Sequence, residues 1–555
     1  MYNKFVTLFI AFFISSIVNA QTPVNLKWSV VLGGSLIEEI NDLNQAEYPR
    51  SSIVVDADEN VFVVCQTEST DGDINGRGLG LVDCFIVKMN SEGDTLWSKV
   101  FGGSGFDSAL DIVSDEKGGC VITGFTYSDD GDFTATGHHG PNTERDGFVT
   151  FIDKDGKVVK TKQFGSKSWV SQVDGEDIIV GGNDVFRSII RTTDGNYILC
   201  GNSNSTDGDL GSFDENQYWA GWLMKIDSNA KIILSSKVSY EMREPWNYVM
   251  KITDIEQAND GNIILLGEIY DLNSYFWWVA KIDINDFSKQ MWSEIYSSNS
   301  ITKQGGITKN KNGNYTVCGY VTEKGGDQEQ TIYGATDIWT FTINDKDGTM
   351  GKQKTFGGSG GESPSSITTL KNGNILIGAT TNSTDFDAKG GYGENDFWIL
   401  ELDSELDTLA TYRFGGSDYD KISGIAENAE GNSFYIAGVS QSNDSQNFGY
   451  IHENNGFLDL WIGKIEANPT LNVNFNEKQN ITEIKCIPTQ TAGIYMLKNA
   501  YEKNISIFNI YGIKIFSGKI NSDYEKLDLS KNNSGIYILD FEQVDIPSIK
   551  ILKFD

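Results

Sequence analysis

The sequence predicts an all-β chain: a seven-bladed β-propeller closed by an amino-terminal strand, followed by a small carboxy-terminal β-sandwich. Three observations point there. A phrase of short strands recurs seven times; one strand of the same kind stands alone before the first copy; and the charge balance changes abruptly near residue 476.

Each copy reads as a turn, an apolar strand ending in or near Gly, a polar acidic loop, an aromatic strand, a turn, and a strand ending in an aromatic residue before Gly. The second-strand endings are Gln66, Gly124, Gly201, Gly267, Gly319, Gly378 and Gly438, spaced by 58, 77, 66, 52, 59 and 60 residues. The third strands include Asp83-Cys84-Phe85-Ile86, Gly147-Phe148-Val149, Gly221-Trp222-Leu223, Trp277-Trp278-Val279, Asp337-Ile338-Trp339, Asp396-Phe397-Trp398 and Asp459-Leu460-Trp461. Four short β-branched or aromatic strands per unit, punctuated by turns, is the pattern of a propeller blade. Asp194-Gly195-Asn196 and Asn372-Gly373-Asn374 supply the positive-φ residues that tight hairpins need. The 77-residue spacing predicts an insertion near 165–185, with a small strand at Ile178-Ile179-Val180.

Fourth strands end at Phe101-Gly102-Gly103-Ser104, Phe164-Gly165-Ser166, Phe356-Gly357-Gly358-Ser359 and Phe414-Gly415-Gly416-Ser417, with looser versions near 230–239 and 290–297. The seventh unit lacks one, whereas Leu26 to Ser35 parallels Thr95 to Ser104 and has no unit of its own. The spare strand is therefore expected to complete the last blade, which removes the open sheet edges. The Phe-Gly-Gly-Ser-x-x-Asp boundary (Phe101 to Asp107, Phe414 to Asp420) resembles the seven-bladed propeller repeat family of exported bacterial proteins, across about residues 26–466.

The chain holds 44 Lys+Arg and 77 Asp+Glu, a net charge of −33. Residues 476–555 carry 10 of each, so the other 475 hold 34 basic and 67 acidic side chains and the entire imbalance. Such a surface repels phosphate backbones and excludes nucleic acid as a partner. Six cysteines cannot staple a chain of this length, and three histidines leave little for His-based chemistry. No G-x-S-x-G or H-E-x-x-H motif occurs.

Lys4, the apolar run Phe5 to Val18 and the step Ala20/Gln21 have the layout of a cleaved signal peptide over 1–20; a 14-residue run is too short to span a bilayer. No later stretch is apolar enough to span, so the mature chain is expected to lack a transmembrane segment. The propeller then covers 21–470, a linker 471–484, and the second module 485–555. In that module Tyr511-Gly512, Gly535-x-Tyr537 and Lys550-x-x-Lys553 close the chain in order and resemble the type A sorting domain of the type IX secretion system. The family's opening Pro-Asn-Pro stands here as Ile487-Pro488-Thr489. The resemblance implies the secretion machinery as a partner, carriage across the outer membrane of a Bacteroidetes-type cell, and a secreted or outer-membrane-surface location. An accessory β-sandwich is the competing reading.

Candidate chemistry concentrates in the loops between second and third strands. The pairs Asp71/Asp73, Asp130/Asp132, Asp207/Asp209 and Asp385/Asp387, with Asp107, Glu362 and Asp420 on the links between blades, are expected on one face. They could form a negative ring for Ca²⁺ or a cationic ligand, although Asp-x-Asp supplies only part of a six- to eight-oxygen shell. Asx-turns with solvated carboxylates are the alternative. Trp222, Trp278, Trp339, Trp398 and Trp461 share a strand position and are expected in the core, whereas Trp219 and Trp246 fall outside that register and are candidate stacking residues for a ligand. Cys65, Cys200 and Cys318 are expected as buried hydrophobes, and Cys65–Cys84 is a weighed but disfavoured disulfide. His138-His139 is expected in a solvated loop. Together these readings give a secreted or cell-surface, non-catalytic scaffold for an extracellular protein or glycan. The alternatives are a secreted propeller hydrolase or lyase, marked by acids peculiar to one blade near the channel, and a carbohydrate-binding adhesin.

Overall fold

A computed structural model describes residues 26–39, 52–74, 80–139, 144–167, 169–173, 176–180, 182–205, 208–210, 219–238, 249–270, 275–298, 302–443 and 457–466, then 485–488, 494–498, 504–509, 514–519, 524–529, 531, 535–541 and 549–553. The chain divides into two compact units, Met1–Pro469 and Thr470–Asp555.

The first unit contains seven antiparallel sheets of a propeller, six of which pair their strands in chain order. Blade 2 is representative: Asp107–Ser114, Cys120–Thr126, Asp146–Ile152 and Val158–Phe164 lie side by side. Blade 7 is assembled from both ends of the unit. Its strands Asp420–Glu427, Ser433–Ser440 and Asp459–Glu466 are completed by Leu26–Leu32, with Val30 opposite Ile462 and Leu32 opposite Leu460. The spare strand and the missing strand are the same element.

The first strands of successive blades contact one another around the ring and form its inner wall. Because every sheet is covered on both faces, second and third strands carry buried residues at consecutive positions instead of alternating ones; Val61–Thr67 and Asp83–Met89 are buried throughout. An apolar cluster fills each gap between neighbouring blades. Trp222 lies between blades 2 and 3, Trp278 between 3 and 4, Trp339 between 4 and 5, Trp398 between 5 and 6, and Trp461 between 6 and 7. The degenerate fourth strands exist as Ile232–Val238 and Asp286–Ser297, and the insertion is a hairpin of Trp169–Val173 with Glu176–Val180. Cys65, Cys84, Cys120, Cys200 and Cys318 are buried free thiols, so Cys65 and Cys84 are not bridged.

The second unit holds a three-stranded sheet (Lys485–Pro488, Ile494–Lys498, Tyr524–Asp528) and a four-stranded one (Lys514–Lys519, Asn504–Asn509, Gly535–Phe541, Ile549–Lys553). Ile505, Ile507, Leu527, Tyr537 and Leu539 are buried. Among the described residues no helix is long and apolar enough to cross a membrane.

Candidate functional site

The loops between second and third strands share one face of the ring with the links between blades; the short hairpin turns occupy the other. On the loop face the acidic phrase folds back onto the link entering its own blade. Asp71 Oδ1 accepts the Ser35 N–H at 2.7 Å, Asp130 that of Ser104 at 2.7 Å, and Asp385 that of Ser359 at 2.7 Å. The second acid takes the first glycine of the same turn: Asp73 from Gly33 at 3.1 Å, Asp132 from Gly102 at 3.2 Å, Asp209 from Gly165 at 3.3 Å and Asp387 from Gly357 at 3.4 Å. Asp-x-Asp and Gly-Gly-Ser are thus two halves of one clamp. Hydrogen bonding from Ser35 holds Asp71 below its ordinary pKa, whereas burial raises that of Asp387. Among the described residues no group of three or more His, Cys, Asp or Glu side chains is arranged to hold a metal ion.

Behind each clamp lies a feature the sequence reading missed. Asp107, Glu362 and Asp420, expected on the face, are fully buried, as are Glu38 and Asp184 at the equivalent place. Each opens the first strand of its blade and meets a buried aspartate opening the third strand of the preceding blade. The resulting pairs are Asp459/Glu38, Asp83/Asp107, Asp146/Asp184, Asp337/Glu362 and Asp396/Asp420. The first-strand acid accepts the N–H of a link residue: Glu38 from Gly34 at 2.9 Å, Asp107 from Gly103 at 2.7 Å, Glu362 from Gly358 at 3.0 Å and Asp420 from Gly416 at 2.7 Å. The hydroxyl ending the second strand donates to its other oxygen, as Thr67 does to Glu38 at 2.8 Å and Thr381 to Glu362 at 2.7 Å. Glycine is required between the two acids: a Cβ on Gly102 would sit 1.9 Å from Asp83 Oδ1.

Burial pushes Asp107, Asp184, Asp337 and Asp420 up to about 7, with Asp83, Asp146, Glu362 and Asp396 adding negative charge across each junction. Two junctions add basic side chains as well. Arg413 bonds Asp396 at 2.8 and 2.9 Å. At Asp146, His139 lies 3.2 Å away through Nδ1 and His138 3.4 Å away through Nδ1. The histidine side chains are 8% and 27% exposed at His138 and His139, so the expected solvated loop is instead packed on the carboxylate. The hydrogen bond to Asp146 raises the His139 pKa.

Blades 2 and 4 carry an acid on the inner strand at the same register, just past the bulge. Asp111 accepts the Ile189 N–H at 2.8 Å and Asp254 that of Ile307 at 2.9 Å, so both tie one inner strand to the next. Trp219 is half-buried at the junction of blades 3 and 4, where its carbonyl accepts the Met250 N–H at 3.2 Å. Gly535 pairs with Lys553, Ile538 with Lys550, and Tyr537 is buried. Asp207, Trp246, Ala20, Gln21, Tyr511 and Gly512 lie outside the described residues.

Against this regular frame one loop stands out. In Asp385-Phe386-Asp387 the central residue has φ 46°, the left-handed conformation that Gly72, Gly131 and Gly208 take in the sister loops at 59°, 58° and 67°. Phe386 is 53% exposed, its ring 5.1 Å from that of Tyr333, itself 43% exposed; Tyr392 is exposed on the same blade. Leu36 and Phe457 form a second exposed apolar pair at the seam of blades 7 and 1.

No family model and no curated protein matches the chain. Among solved structures it is similar to PorZ, an essential surface component of the type IX secretion system of Porphyromonas gingivalis: 11% identity, 91% of this chain, TM-score 0.39. The chain spans 60% of PorZ's length. It is also similar to the polysaccharide lyase Uly1 (9% identity, 80% of this chain and 100% of that one, TM-score 0.46). A further likeness is to a PL25 ulvan lyase (10% identity, 74% and 93%, TM-score 0.41). These likenesses are too remote to bear on activity.

Proposed function

We propose that this chain is a secreted or surface-displayed, non-catalytic binding scaffold, exported by type IX secretion machinery through residues 485–555, and that it meets an extracellular protein or glycan on the loop face. Phe386 carries the reading. A bulky residue in the left-handed region costs about 1–2 kcal/mol where three sister loops use glycine. Its side chain recovers nothing from the core, because it points its ring to solvent beside Tyr333. Strain retained for an exposed aromatic pair is accounted for by a ligand that stacks there. A binding role, as against a catalytic one, is supported by how the repeated acids are used: their oxygens hold backbone amides.

Phe386→Gly tests the binding reading. The full chain and the variant are applied to a glycan array and to immobilised culture-supernatant proteins. The variant is expected to keep or raise its thermal midpoint while its affinity for the ligands that the full chain selects falls about tenfold or more. Equal binding by both would overturn the assignment, and depolymerisation of a bound glycan would replace it with the lyase or hydrolase alternative. Export is tested by fusing residues 485–555 to a fluorescent reporter in a Bacteroidetes host, where the reporter should reach the surface only with an intact type IX translocon.

A further inference from the structure

The opposite face carries a second break in the repeat, independent of the loop face. The turn joining first and second strands places a glycine at positive φ in six blades: Gly118, Gly195, Gly261, Gly313, Gly373 and Gly431, with φ between 75° and 98°. Blade 1 has Glu59 there, at φ 64°. The hydrogen bonds of the turn are retained, with Asp56 N–H donating to the Asn60 carbonyl at 2.9 Å and Glu59 N–H to that of Asp56 at 3.2 Å. The strain therefore serves the side chain and not the turn.

That side chain lines a cavity of about 480 Å³ at the seam where blade 7 meets blade 1, within the size range of small-molecule sites. Ser91, Glu430, Ser433, Lys464 and Glu466 also line it. Two of its polar groups are buried without a hydrogen-bond partner in the protein. They are Glu59 Oε1 and the hydroxyl of Ser433, a residue only 3% exposed. Buried polar atoms without partners are rare and costly in a folded chain, and two in one cavity indicate groups kept for something that enters it.

The lining defines the chemistry of the occupant. Carboxylates only accept hydrogen bonds, the Lys464 ammonium only donates, and the Ser433 hydroxyl does both. A ligand that satisfies all three within one cavity must donate and accept from closely spaced groups, as vicinal hydroxyls do. Charge narrows the class further. Three carboxylates, Glu59, Glu430 and Glu466, and one ammonium, Lys464, line it, and Lys27 outside the lining is bonded to Glu466 at 2.8 Å, so the wall is net negative and disfavours uronates, phosphates and sulfates. Lys464 donates to the Ser91 carbonyl at 3.2 Å and lies over the Tyr435 ring, 5.3 Å from its centroid, and its ammonium keeps a further proton for a ligand. We propose that this seam cavity is a binding site for a neutral sugar unit, held by Glu59 and Ser433 as acceptor and donor, with Lys464 as the second donor.

The test is isothermal titration of the full chain with glucose, galactose, mannose and xylose, and in parallel with glucuronate and spermidine. At least one neutral sugar is expected to bind, glucuronate more weakly than the corresponding neutral sugar. Glu59→Gly and Ser433→Ala should each weaken that binding about tenfold or more. Glu59→Gly installs the residue that six sister turns use, so its thermal midpoint should equal or exceed that of the parent. Ser433→Ala, which removes a hydroxyl with no partner in the protein, should melt no earlier than the parent, so that its loss of binding is not a loss of fold. No heat from any neutral sugar at high millimolar concentration would overturn the assignment. So would spermidine binding in place of sugar, or a Glu59→Gly protein that binds normally or melts earlier than the parent.

Discussion

Asp337→Asn at the junction of blades 5 and 6 isolates the energetics of a buried acid pair. Asp337 is fully buried, accepts the Tyr333 N–H at 2.5 Å and faces Glu362. Burial first, and then the charge of Glu362, raise it from 3.8 to about 7. For an acid raised on folding, the native state binds the extra proton. Its contribution is therefore complete below pH ~4 and lost as pH rises through about 7. The whole shift corresponds to a ceiling of about 4 kcal/mol, at 1.36 kcal/mol per unit. Working above the isoelectric point near 4.4, the interval from pH 5.5 to pH 8 traverses about half of it, about 2 kcal/mol. Asparagine keeps the shape, offers an N–H to Glu362 as the protonated acid does, and does not titrate. Urea unfolding followed by fluorescence of the buried tryptophans should show the variant gaining about 2 kcal/mol on the parent between those two pH values, at constant ionic strength. A parent that keeps pace with the variant, or gains on it toward pH 8, would refute the raised acid.

Two further outcomes follow from the clamps. Gly102→Ala should cost about 2–3 kcal/mol, because its Cβ would lie 1.9 Å from Asp83 Oδ1 and 3.0 Å from Asp107 Oδ2; a stability change under 0.5 kcal/mol would show that the junction is looser than described. Asp130→Ala should lower the thermal midpoint by removing the acceptor of the Ser104 N–H, about 1 kcal/mol, and by the same amount in EDTA as in millimolar Ca²⁺. A loss seen only with Ca²⁺ present would restore the metal reading of these loops.

The ring was legible because a repeat is read many times. Seven aromatic third strands and the closing strand Leu26–Leu32 could be placed from pattern alone, and the shared position of Trp222, Trp278, Trp339, Trp398 and Trp461 marked them as core. The use of the acids was not legible, because an acidic turn looks the same whether its oxygens face water or an amide. Asp130 reaches Ser104 and Asp385 reaches Ser359 across the same 26 residues. That shared offset in blades 2 and 6 was the available signal, and the longer separation of Asp71 from Ser35 in blade 1 obscured it. Asp107 and Asp420 were misplaced on the surface for a related reason: acids are seldom buried, and the residue burying each one belongs to the neighbouring blade. Glu59 and Phe386 became conspicuous only when compared with the glycines in sister turns, since φ is a property of the folded backbone.

The cavity proposal presupposes a ring whose ends meet, for its lining comes from blade 7 and from Glu59 and Ser91 of blade 1. Hydrogen–deuterium exchange of the full chain at the amides of Leu26–Leu32 is the direct probe. Paired with Asp459–Glu466, they should exchange about as slowly as that strand does. Exchange at the rate of an unstructured peptide, with Asp459–Glu466 still protected, would mean that the last blade stands open.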